Sequence, residues 1–347
     1  MKTFRKFLIF LLIIVFGFSL GATAEATTKT STVEKTSPMV KIFYFRDNPK
    51  ARASLFTHPK SIDVLAPQAY SIDNGGLLSG AIDPAILTFA QAHNIKVMPL
   101  VTNKSFSRGM AEAVLNDPSK QDTAINALVL EAQNKNYWGW QIDFEGMSSA
   151  DKDRFSSFIE KAGPVFKTHN LVFSVAVIAQ TSSNPADYPN NLWDRVIGAY
   201  DYDPIASSSD FVSVMSYDDP DSKGPVSPYP WLREVIDYSL QFIPADKLSL
   251  GIPFYDWKWN DTSGKLIAIR GYTEIEKILM KKHRTLGYSA TEQTPFIKYT
   301  ERKNHYTLWY ENGKSIAKKI SLIEQYKLQG FSAWALGLEN PSVYSAF

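Results

Sequence analysis

Tyr137-Trp138-Gly139-Trp140-Gln141-Ile142-Asp143-Phe144-Glu145 alternates apolar and polar side chains from position 140 onward. A period of two belongs to a β-strand, whose successive side chains point to opposite sides. Trp140, Ile142 and Phe144 then share one face, and Gln141, Asp143 and Glu145 share the other. A half-exposed antiparallel strand gives the same alternation, with its carboxylates in water. The flanking sequence has to decide between the two.

From residue 40 onward, short apolar runs alternate with longer segments that carry apolar residues at three- and four-residue steps. Strands are predicted at residues 40–45, 62–67, 95–101, 139–144, 171–177, 211–216, 248–253 and 331–336, with helices at 84–93, 121–135, 150–167, 231–242 and 315–328. Eight such alternations specify an α/β fold, a (β/α)8 TIM barrel, whose functional side chains sit at the carboxyl ends of the strands. The inward face of a barrel strand is buried, so Gln141, Asp143 and Glu145 are expected inside. An unpartnered ionised carboxylate there costs at least ~3 kcal/mol. Two carboxyls sharing such a face raise each other's pKa, and one that keeps its proton near neutral pH is equipped to act as a general acid.

Residues 258–312 interrupt the alternation. A helix at 272–282, strand-like runs at 296–299 and 306–310, and a turn at Glu311-Asn312-Gly313 predict a small α+β insertion between the seventh strand and the last helix. It would form one wall of a cleft above the barrel mouth.

The amino terminus has a basic start, Met1-Lys2-Thr3-Phe4-Arg5-Lys6, an apolar run from Phe7 to Leu20, and Ala22-Thr23-Ala24. This pattern predicts a signal peptide over 1–24 and export from the cytoplasm. Residues 25–38, rich in Thr and Ser, read as a flexible linker, leaving 39–347 as the catalytic domain. Removing Lys2, Arg5 and Lys6 with the leader brings a chain of 37 Lys+Arg against 35 Asp+Glu close to neutrality. That balance favours neither nucleic acid nor, after cleavage, a membrane as partner, and no protein partner is inferred. With no Cys there are no disulfides, thiolate metal sites or lipidated cysteines, and the five His residues lack metal-ligand spacing. No cofactor and no metal are expected.

Several segments in barrel order resemble glycoside hydrolase family 18, the chitinase-like barrels, over nearly all of 40–347. Asp143 and Glu145 match the last two acidic positions of the fourth-strand D-x-x-D-x-D-x-E hallmark. Met215-Ser216-Tyr217-Asp218 matches M-x-Y-D, Gly251-Ile252-Pro253-Phe254-Tyr255 is similar to the seventh-strand G-x-P-x-Y, and Phe331-Ser332-Ala333-Trp334 matches the strand that supplies a Trp beneath the reacting sugar. Two hallmark positions depart: Gln141 stands at the second Asp and Trp138 at the first. Gln141 is expected to hydrogen-bond Asp143 without sharing a proton with it. Leu65-Ala66-Pro67-Gln68-Ala69-Tyr70 and Gly76-Leu77-Leu78-Ser79-Gly80 look like the branch that includes bacterial spore-germination and cortex-lytic peptidoglycan hydrolases.

The resemblance implies retaining hydrolysis of β-1,4 linkages in polysaccharides of 2-acetamido sugars, peptidoglycan or chitin, through an oxazolinium ion formed by the substrate's own acetamido group. It gives Glu145 the role of proton donor, Asp143 that of orienting and stabilising the acetamido group, and Tyr217 that of holding its oxygen. Gln141, Met215, Asp218, Trp334, Tyr44 and Tyr70 are the expected substrate-binding residues. Loop aromatics Tyr229, Trp231, Trp257 and Trp259 extend the cleft or cover the barrel rim. The alternative is a chitinase-like lectin without activity, although such relatives typically replace the terminal Glu that Glu145 preserves here.

Overall fold

The computed structural model describes residues 39–347; the predicted leader and linker lie outside the described residues. Eight parallel strands form the barrel: β1 (Val40–Phe45), β2 (Val64–Ile72), β3 (Leu100–Asn103), β4 (Gly139–Asp143), β5 (Val172–Ile178), β6 (Phe211–Met215), β7 (Leu248–Pro253) and β8 (Gly330–Trp334). Each pairs with the next, and β1 pairs with both β2 and β8, at Ile42↔Val64 and Val40↔Gly330, which closes the ring. The predicted barrel is therefore present. Its third strand is split, Lys96–Val97 pairing with β2 ahead of β3.

Side-chain parity divides each strand between two environments. On β4, Trp140 and Ile142, with Phe144 beyond, enter the large apolar layer between sheet and helices, where the Trp140 indole donates to the Leu128 carbonyl at 2.8 Å. The opposite parity points inward. Ile42, Val64, Met98, Leu100 and Phe211 fill the barrel with apolar side chains. Gln141, Ser174, Ser213, Ser249 and Ser332 form a buried polar layer there, in which Ser332 bridges Ser213 and Ser249 at 2.9 and 2.7 Å.

Several helices start where an Asx side chain caps a Pro-initiated turn. Asn48 accepts from the amides of Lys50 and Ala51, Asp83 from Ala85, and Asp117 from Ser119 and Lys120, so donors that a helix start leaves orphaned are satisfied. The helix Pro49–Thr57 was absent from the sequence expectations, as were Arg108–Leu115 and Tyr202–Ser208.

The insertion has more strands than predicted. It is a five-stranded antiparallel sheet ordered Lys265–Arg270, Asp256–Asn260, Asn304–Trp309, Thr294–Glu301, Arg284–Ser289, with the helix Tyr272–Leu279 on one face. Glu311-Asn312-Gly313 is not a hairpin turn. Asn312 instead caps the helix Gly313–Tyr326, its side chain accepting from the Ser315 amide while the Ser315 hydroxyl accepts from its own.

Gly139 opens β4 where a Cβ would lie 1.9 Å from the Val172 carbonyl oxygen of β5. Gly139→Ala must push two paired strands apart, and a loss of about 1–3 kcal/mol is expected for such overpacking. Urea denaturation checks this, and an unchanged midpoint would contradict the close approach.

Candidate active site

The carboxyl ends of β1, β4, β6 and β8 converge on a cavity of about 670 Å³, lined by Tyr44, Asp143, Glu145, Met215, Tyr217, Asp218 and Trp334 among others. Residues from distant parts of the chain meet there because parity and strand ends, not sequence proximity, set their positions. Asp143, the last residue of β4, is buried, and its Oδ1 has no hydrogen-bond partner. Glu145 lies two residues further out and is half-buried. Its backbone is fixed by Asn103 at the end of β3, whose Oδ1 accepts from the Glu145 amide at 2.9 Å and whose Nδ2 donates to the Glu145 carbonyl at 2.9 Å.

Burial raises both carboxyls above their usual range. For Asp143 the second cause is the Glu145 charge, and for Glu145 it is the Asp218 charge. Repulsion within the Asp143–Glu145 pair is mutual, as the shared strand face implies, but burial is the larger cause on both, and Asp218 adds to it on Glu145.

A folded-state pKa above the unfolded value means that the native protein holds the proton more tightly. The resulting stability is fully present below the unfolded carboxyl pKa, about 4, and is lost as pH rises through the raised values. Wild-type Tm is therefore expected to fall between pH about 4 and neutrality more steeply than that of the Asp143→Asn/Glu145→Gln variant. Parallel curves would contradict the burial of these charges.

Tyr217 follows β6, its ring against β7. A Cβ on Gly251 would come within 3.0 Å of that ring and 2.5 Å of the Val214 carbonyl oxygen, so glycine is what admits the tyrosine. Asp218 has a left-handed φ of 61°, a conformation Asp tolerates better than most residues. Its carboxylate accepts a 2.7 Å hydrogen bond from Tyr255, a pocket-lining side chain absent from the predicted site. The rings of Tyr44 and Trp334 lie 5.3 Å apart on the cavity floor.

Two nominated residues stand elsewhere. Gln141 is fully buried below the cavity, with its amide saturated: Oε1 accepts from the Tyr44 hydroxyl at 2.8 Å, and Nε2 donates to Ser174 at 2.9 Å and Ser213 at 2.8 Å. It makes no hydrogen bond to Asp143, contrary to expectation, and supports the floor through Tyr44. Tyr70 faces out of the barrel, its hydroxyl bonded to Glu131 and Tyr137 and its ring against Trp140. The cause is a register shift between Gln68 and Tyr70 in the pairing of β2 with β3. One extra residue reverses every following side chain, so Val64 and Ala66 point inward whereas Tyr70 and Ile72 point outward.

Trp231 and Arg46 also line the cavity. Trp257 and Trp259 pack with Tyr255 and Val226 against Tyr217 and Trp334, so the inserted sheet does wall the mouth. Tyr200, unforeseen from sequence, is buried behind the carboxyl pair and donates to the Phe144 carbonyl at 2.8 Å, holding the turn that carries Glu145.

Relatives share this arrangement of strands. A chitinase from Chromobacterium violaceum superposes with a TM-score of 0.80 at 26% identity, covering 89% of this chain and 98% of that one. The chain is 27% identical over 302 residues to the uncharacterized glycosylase YvbX of Bacillus subtilis, covering 84% of this chain and 86% of the relative. It is 30% identical over 265 residues to the cortical fragment-lytic enzyme of Bacillus subtilis, covering 73% of this chain and 60% of that protein's length. The sequence profile of the glycosyl hydrolases family 18 matches residues 64–339. With most of the barrel inside that match, the chain belongs to family 18 of the glycosyl hydrolases and is a glycosidase.

Proposed function

We propose that this glycosidase cleaves β-1,4 linkages in polymers containing N-acetylglucosamine, peptidoglycan or chitin, by substrate-assisted catalysis. The reading rests above all on the buried Asp143, whose Oδ1 is left without a partner in the same cavity as Glu145 and Tyr217. A buried carboxyl oxygen with no donor is costly unless a ligand supplies one, and an acetamido N–H is a donor of the right kind.

In this mechanism the sugar next to the scissile bond stacks on Trp334. Glu145, whose hold on its proton burial strengthens, gives that proton to the glycosidic oxygen while the acetamido oxygen attacks the anomeric carbon. The bond to the leaving sugar breaks and an oxazolinium ion forms, without an enzymic nucleophile. Asp143 accepts from the acetamido N–H and stabilises the charge that develops there, and the Tyr217 hydroxyl holds the acetamido oxygen in line. Fixed contacts of this kind contribute about 3 kcal/mol each in the transition state. Glu145, now ionised, takes a proton from the water that opens the ring and is thereby restored. The leader pattern of residues 1–24 supports a reaction outside the cytoplasm.

Purified sacculi and chitin, digested in parallel with mass analysis of the products, test the proposal. Fragments ending in N-acetylglucosamine are expected. Cleavage of glucose polymers at a comparable rate, or of neither N-acetylated polymer, would defeat it.

A further inference from the structure

The inserted sheet carries a second concavity, remote in composition from the catalytic one. Lys282, His283 and Arg284 follow the helix Tyr272–Leu279 into the edge strand, Lys298 stands on the next strand and His305 on the one after. All five are exposed, and they line a groove of about 600 Å³. On the opposite, helix-covered face of the sheet, Lys258 lies 4.6 Å from the Tyr306 ring and Lys281 lies 4.9 Å from the Tyr299 ring. The one acid in the groove wall, Asp261, is engaged by the Thr307 hydroxyl at 2.7 Å. Nearby Glu301 is paired with Lys281 at 3.1 Å and is held below the usual carboxylate range by Lys281, with Lys258 and Arg302 adding to the effect. The whole chain has 37 Lys+Arg against 35 Asp+Glu, so this cationic surface is a local concentration.

Register ties the groove to the pocket. Trp257 pairs with Trp309 and Trp309 with Phe296, and two residues further along the same face Trp259 pairs with Thr307 and Thr307 with Lys298. The next row on that face is His305 with Thr300. The face that walls the catalytic mouth with Trp257 and Trp259 thus continues outward to Lys298 and His305.

We propose that this groove docks the carboxylate-bearing strands of peptidoglycan and so gives the protein a preference for that polymer over uncharged chitin. The inference rests on the proposed reading of the pocket for what is cut, and adds how it is chosen. Peptidoglycan carries carboxylates on its peptide stems at regular intervals, whereas chitin carries none. A row of exposed cations attracts the former at long range and leaves the latter unaffected.

Co-sedimentation of the full chain with sacculi stripped of phosphate polymers tests this, with untreated sacculi and chitin as the other arms. Wild-type binding to stripped sacculi is expected to weaken as salt rises and to fall about tenfold in Lys282→Glu/Lys298→Glu. Hydrolysis of a soluble, uncharged N-acetylglucosamine oligomer is expected to be unchanged in that variant, which also shows that it folds. Undiminished sacculus binding by the variant, or equal wild-type binding to chitin, would overturn the proposal. Loss of wild-type binding on stripping would transfer the groove to a phosphate polymer and overturn it equally. If neither protein cuts the soluble oligomer yet sacculus binding follows charge as stated, the docking groove is supported and only the reading of the pocket fails.

Discussion

Glu145→Gln is expected to lower kcat on N-acetylglucosamine oligomers about 10²–10⁴-fold, the range that a positioned general acid supplies, while leaving oligosaccharide binding intact. Glutamine keeps the shape and hydrogen-bonding reach of the protonated carboxyl but has no proton to transfer. The Asn103 clamp acts on the Glu145 backbone and is indifferent to the substitution. Single-turnover kinetics together with calorimetric titration of the oligomer separate the two effects. Wild-type activity is expected to decline as pH rises through the raised pKa of Glu145, because the acid form is lost, and burial with Asp218 nearby moves that decline toward neutrality. Equal turnover by wild type and variant would remove Glu145 from the chemistry. Binding by both with turnover by neither would favour the lectin alternative.

The largest stability effect is expected away from the pocket, where the insertion meets the last helix. Lys319 on the helix Gly313–Tyr326 is completely buried and pairs with the buried Glu311 at 3.0 Å. Glu292, which burial lifts above its usual range and Lys319 lowers, lies close enough to feel the same charge. Lys319→Met fills similar volume but leaves the Glu311 carboxylate in the interior without its cation, and breaking such a pair costs about 3–5 kcal/mol. Adding Glu311→Gln to that variant removes the stranded charge and is expected to restore most of the loss. Guanidinium denaturation of the single and double variants measures this. A Lys319→Met protein as stable as wild type would show that the pair is hydrated, not buried.

The barrel was legible because parity along short apolar strands is a strong signal: the alternation at 140–145 placed Asp143 inward and Trp140 outward, as they are found. Tyr70, expected just beyond a second strand ending at Pro67, lies inside β2, which runs on to Ile72 past a register shift that leaves no mark in the order of residues. Gln141 was seen as a neighbour of Asp143, yet its partners are Tyr44, Ser174 and Ser213 on three other strands. Serines of a polar barrel layer look no different in sequence from surface serines. Asn103 escaped because the third strand was ended two residues early. Tyr200 escaped because it lies in an irregular stretch after β5, where no periodicity applies. The helix Pro49–Thr57 did carry a signal, Asn48-Pro49, but buries only Ala51 and Leu55 and so lacks a pronounced apolar stripe.

Substrate assistance itself can be read from a series of otherwise identical N-acetylglucosamine glycosides whose acetyl group bears zero, one, two or three fluorines. Each fluorine weakens the acetamido oxygen as a nucleophile while leaving the leaving group untouched. If that oxygen attacks while Glu145 donates its proton, kcat/KM falls steeply and progressively along the series. A flat series would mean that the acetamido group takes no part in bond cleavage, and would contradict the roles assigned to Asp143 and Tyr217.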